Sequence, residues 1–103
     1  MARYNLESVD NVKPGYIKEF KVENYSILLV SGEEGVVAVE NRCPHAEAPL
    51  DAGRVIGNRL RCPRHGYIFD LSTGLCARGR REGFGGLKFI SLIEEDGYYS
   101  VDL

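Results

Sequence analysis

Cys43-Pro44-His45 and, sixteen residues further on, Cys62-Pro63-Arg64-His65-Gly66-Tyr67-Ile68-Phe69-Asp70 decide how this chain is read. Each stretch carries one thiol and one imidazole, the two side-chain types that hold iron or zinc. Within each, the cysteine and the histidine lie two or three residues apart, so one tight loop can aim both at a single point. Pro44 and Pro63 follow the cysteines directly and stiffen the loops by fixing φ. Gly66 follows the second histidine and permits a close backbone approach to a metal or sulfide. The chain has two histidines, and both stand in these stretches, as do two of its three cysteines. The candidate ligands are therefore Cys43, His45, Cys62 and His65.

Outward from this pair, the sequence reads as strands and turns. Tyr4 to Val9 has the character of a first strand, and Pro14-Gly15 marks a turn. Tyr16 to Val22 alternates, and Tyr25 to Val30 is apolar and partly β-branched. Ser31-Gly32-Glu33-Glu34-Gly35 reads as a hairpin loop and Val36 to Glu40 as the returning strand. Leu87 to Ile93 and Tyr98 to Leu103 flank Glu94-Glu95-Asp96-Gly97, a second hairpin. No window has a convincing helical period; the best, Pro44 to Asp51, is short and contains two prolines. The twelve glycines suit many short strands. Residues 41–86 are richer in Gly, Pro, Cys and Arg than either flank. An all-β fold follows, with a loop-rich insert of about 41–86 on a base formed by about 1–40 and 87–103.

The length of 103 residues is that of one domain. Such a small chain buries a modest core and gains from a metal staple. Hydrophobic residues make up 44% and charged residues 27%, a globular balance that excludes a disordered chain. No apolar run is long enough for a membrane span. The first residues lack the apolar core of a signal peptide, so a cytoplasmic location is expected. An odd cysteine count argues against a disulfide framework. The net charge of −2 conceals a division. Residues 42–81 carry eight arginines against Glu47, Asp51 and Asp70, a net +5, and the remainder is −7. An overall pI near 5.7, with no aromatic-basic strip, argues against nucleic acid as a partner.

The paired motif closely resembles that of Rieske iron–sulfur proteins, and the flanking strands and length resemble free-standing Rieske ferredoxins. The resemblance implies an antiparallel β-sandwich or barrel base with a small cluster-binding subdomain. It also implies one [2Fe–2S] cluster, with Cys43 and Cys62 on one iron and His45 and His65 on the other. The two cysteines that form a disulfide between the cluster loops of respiratory Rieske proteins are replaced here by Ala48 and Arg64. The serine and tyrosine that donate to cluster sulfurs in those proteins are replaced by Tyr67 and Phe69. Fewer donors disfavour the reduced cluster, which places the expected potential near the low end of the Rieske range, roughly −150 mV. Where many members have a proline-rich segment covering the cluster, this chain has Arg78-Gly79-Arg80-Arg81-Glu82-Gly83-Phe84-Gly85-Gly86. Cys76, with no histidine near it, reads as a small apolar filler.

By the same resemblance the chain is expected to be a monomeric electron carrier between a flavoprotein ferredoxin reductase and a terminal oxygenase. Docking is expected through a basic face including Arg64, Arg78, Arg80 and Arg81. A terminal oxygenase needs a second iron site, and no histidine remains to build one. The alternatives are a Rieske-like small subunit of a reductase complex and a Cys2His2 zinc module. Zinc modules group two cysteines and then two histidines, unlike the order here.

Overall fold

Ile27-Leu28-Leu29-Val30 is fully buried at every position, which a strand achieves only when both its faces are covered. The computed structural model, which describes residues 2–44, 48–64, 66–78 (Arg78 by its backbone only) and 85–103, shows what covers them. Strand β3 (Tyr25–Gly32) lies inside a four-stranded antiparallel sheet in the order β2 (Ile17–Val22), β3, β4 (Gly35–Glu40), β9 (Phe89–Ile90). Ile27 and Leu29 point to one side. There they meet Ala38, Val101 and the half-buried Leu6, Phe20 and Leu92. Leu28 and Val30 point to the other side, into a cluster with Val39, Leu60, Phe69 and Leu71. Side-chain alternation along one strand thus serves two cores.

The first core is closed by a three-stranded sheet in the order β1 (Arg3–Ser8), β11 (Tyr98–Asp102), β10 (Leu92–Glu95). The chain's two ends meet here, with Ala2 and Leu103 exchanging backbone hydrogen bonds of 2.8 and 2.9 Å. The second core is closed by a four-stranded meander of three-residue strands: β5 (Arg54–Ile56), β6 (Arg59–Arg61), β7 (Ile68–Asp70) and β8 (Cys76–Arg78). All-β antiparallel architecture is as expected. Among the described residues the one helical element is a 3-10 turn, Val9–Asn11, and no helix is long and apolar enough to cross a membrane.

Four details depart from the sequence reading. The stretch Leu87 to Ile93, expected as one strand, breaks at Ser91. Phe89 and Ile90 pair with Val39 and Ala38, whereas Leu92 and Ile93 pair with Val101 and Ser100 of the other sheet. Apolar side chains of similar character fill both sheets, so composition does not mark the crossing. The loop expected at 31–35 is tighter. Ser31 and Gly32 pair with Val36 and Gly35, leaving Glu33-Glu34 as a two-residue turn. Likewise Glu94 and Glu95 stay in the ladder, and the turn is Asp96-Gly97 with φ of 54° and 80°. Two consecutive positive φ values are the signature of a type I′ turn, whose twist matches the flanking strands. The loop-rich middle also contains more regular pairing than its composition announced. Its strands are too short for periodicity to reveal them.

Candidate metal centre

Cys43 stands three residues beyond the end of β4, and Cys62 directly follows β6. The two loops are closed in the same way. The Cys43 amide donates to the carbonyl of Ala48 at 2.8 Å, and the Cys62 amide donates to the carbonyl of Tyr67 at 2.7 Å. Each cysteine therefore heads a loop of four residues, with the histidine of each pair inside it. Both cysteines are fully buried and belong to one cluster with Leu28, Val30, Leu60 and Phe69. No disulfide joins any of the three cysteines. Two buried thiols in one cluster, without a disulfide and on loops of matching closure, fit a thiolate-bound metal group. His45 and His65 lie outside the described residues, as do Arg80, Arg81 and the Arg78 side chain.

The first loop is held by a residue that sequence reasoning missed. Asn41, two positions before Cys43, is buried, and its side-chain carbonyl accepts the Leu50 amide at 2.7 Å. Its amide nitrogen lies 3.2 Å from each of Glu19 Oε2, Ser26 Oγ and Asp51 Oδ1. Its backbone N–H donates to the Ser26 carbonyl at 2.9 Å. One side chain thus ties both ends of the Cys43 loop to β2 and β3. An asparagine between a strand and a loop carries no pattern that would announce this.

The second loop turns on Gly66. Its φ is +70°, and its amide donates to the Cys62 carbonyl at 3.1 Å. The neighbour that crowds Gly66 here is Arg61: a Cβ on Gly66 would lie 2.9 Å from the guanidinium. Phe69 is fully buried and packs in the same cluster as the cysteines, with Tyr67 half-buried against it. Cys76 sits in that cluster too, opposite Phe69 across β7 and β8. The Arg54, Arg59, Arg61 and Arg64 side chains are exposed around this region. The Asp70 carboxyl is held below the ordinary carboxylate range by the Ser72 hydroxyl and amide, with the charge of Arg59 adding to the effect.

A small antiparallel β domain that buries two thiols in one core cluster, each at the head of a loop closed by the same kind of backbone hydrogen bond, defines the class of protein. The Rieske [2Fe-2S] domain model matches residues 2–84, and the chain belongs to that family; its cofactor is one [2Fe–2S] cluster. The ferredoxin of carbazole 1,9a-dioxygenase from Nocardioides aromaticivorans IC177 superposes with a TM-score of 0.83 at 25% identity, covering 98% of this chain and 97% of that one. The Sphingomonas yanoikuyae B1 ferredoxin superposes with a TM-score of 0.82 at 25% identity, covering 99% of each chain. Among curated relatives, human apoptosis-inducing factor 3 is 35% identical over 95 residues. The match covers 88% of this chain and about 15% of the relative's length.

Proposed function

We propose that the chain is a one-electron carrier whose cluster is held by Cys43, His45, Cys62 and His65. In this reading it receives electrons from a flavoprotein ferredoxin reductase and delivers them to a terminal oxygenase. The observation that carries the proposal is the burial of two thiols in one core cluster, each heading a loop of equal closure. Each loop's sequence supplies one histidine within three residues of its cysteine. The near end-to-end match with a dioxygenase ferredoxin of the same size supports the carrier role.

When bound, the cluster supplies a one-electron couple whose His-ligated iron raises its potential above that of all-Cys clusters. The chain's own residues do the rest. Asn41 and the two backbone closures hold the ligand loops in place. Leu28, Val30, Leu60 and Phe69 keep water from the sulfur side, a lever on potential in its own right. The segment 41–86 is the cluster-binding part, and 1–40 with 87–103 is the base. Exposed Arg64, with Arg78, Arg80 and Arg81, belongs to the basic docking side, which suits the fast, salt-sensitive encounters of a carrier.

The test is to produce the chain with iron and sulfide available and record its absorption and the EPR spectrum after dithionite reduction. A Rieske-type signal is expected. It should be lost in Cys43→Ser, Cys62→Ser and His65→Ala and kept in Cys76→Ala. A colourless protein binding zinc, or a signal that survives Cys62→Ser, would overturn the reading.

A further inference from the structure

Resting on the carrier reading above, the geometry points to the outer face of the β5–β6 hairpin as the surface that docks an acidic patch of a redox partner, one partner carboxylate entering between Arg54 and Arg61.

The hairpin register pairs Arg54 with Arg61, Val55 with Leu60 and Ile56 with Arg59. Leu60 is fully buried and Val55 packs against the same core, so Arg54, Ile56, Arg59 and Arg61 face outward. Arg54 and Arg61 are directly opposite, an arrangement of like charges that destabilises a hairpin. Among the described residues no carboxylate lies within ion-pair distance of either. An acidic residue at one of the two positions would hold the hairpin better, so the pair suits an anion from outside. Ile56, 47% exposed and paired with Arg59 at the turn end of the hairpin, adds an apolar contact to this cationic face. Between the arginines opens a cleft of about 250 Å³, lined by Gly53, Arg54, Arg61, Cys62 and Pro63. The cleft therefore reaches a cluster cysteine, and the Arg61 guanidinium also rests against Gly66, the neighbour of His65. A carboxylate held there lies beside the second ligand loop, where short electron-transfer paths begin. A long polyanion would also meet the −7 remainder of the chain. A compact acidic patch on a protein would not, and the surface is assigned to that kind of partner.

The experiment measures anisotropy of a fluorescently labelled hexaglutamate peptide titrated with the purified holoprotein at low salt and at about 300 mM salt. EPR on the same samples reports the cluster separately, so a missing cluster speaks against the carrier reading while the binding result still judges the surface. Wild-type protein should bind at low salt and release the peptide at high salt. Arg54→Gln/Arg61→Gln, which relieves the cross-strand repulsion and so preserves the fold, should bind about fivefold more weakly. Arg54→Lys/Arg61→Lys should recover most of the affinity. In parallel, oxidation of the reduced protein by the trianion tris(oxalato)cobaltate(III), one electron passing from cluster to cobalt, should slow in the Gln variant, and oxidation by hexaammineruthenium(III) should not. No peptide binding, equal binding by the Gln variant, a loss confined to Arg78→Gln/Arg80→Gln/Arg81→Gln, or tighter binding of a duplex DNA oligonucleotide would each overturn the assignment.

Discussion

Asn41 shows how much a single polar side chain governs here. Its carbonyl is the acceptor for the Leu50 amide, and its own amide faces two carboxylates and a hydroxyl, all in a largely buried setting. Ser26 reinforces the arrangement by donating its hydroxyl to Glu19. In Asn41→Ala the Leu50 amide loses its acceptor, and a buried unsatisfied N–H costs about 1–3 kcal/mol. Urea denaturation should show that loss, and the protein should purify with less iron per chain because the Cys43 loop is no longer anchored. Iron content equal to wild type would show that the loop holds itself. The paired Cys–His motif was legible in sequence as a candidate because ligand chemistry restricts residue type and spacing. Asn41 was not, because hydrogen bonding across 22 positions to Glu19 leaves no local trace.

At the scale of elements, β3 is the part on which both cores depend. Leu28 and Leu29 are neighbours and equally buried, yet they serve opposite faces. Truncating either should cost about 2–5 kcal/mol, as for other buried leucines. Their second effect should differ. Leu28 shares its cluster with Cys43 and Cys62, so Leu28→Ala should shift or broaden the cluster's EPR signal. Leu29→Ala should destabilise without changing it. Identical spectra in the two variants would show that the sulfur-side packing does not reach the metal. The continuous apolar run Ile27–Val30 announced a strand, and the hairpins followed from turn residues. That β3 is covered on both sides, and that Ser91 carries the chain from one sheet to another, depends on long-range pairing that local pattern does not encode.

At the scale of the whole molecule, residues 42–81 carry +5 and the remainder −7, and polar contacts within that remainder bear on how stability varies with pH. Arg3 on β1 donates to Asp102 at 2.9 and 3.1 Å and to Glu95 at 3.0 Å, pinning the two chain ends together. The Arg3 guanidinium holds the Asp102 carboxyl below its ordinary range, and Asn11, with Tyr16, does the same for Glu7. Tyr16 is pushed the other way, by burial and by its 2.8 Å hydrogen bond to Glu7. A carboxyl whose pKa falls on folding stabilises the native state above its unfolded value, about 4, and that contribution is lost as pH drops through the folded value. A phenol whose pKa rises on folding contributes below its unfolded value, about 10, and that contribution is lost as pH climbs towards the folded one. Stability should therefore be flat between about pH 5 and 9 and decline on both sides. Urea midpoints followed by far-ultraviolet circular dichroism across this range, on the holoprotein and two variants, separate the groups. Asp102→Asn should lower stability at neutral pH and flatten the acid decline. Tyr16→Phe should flatten the alkaline one, because the phenol that resists ionisation is gone. Wild-type and Asp102→Asn curves running parallel from pH 6 to 3 would show that the chain ends are held by backbone pairing alone, with the ion pair contributing nothing that titrates.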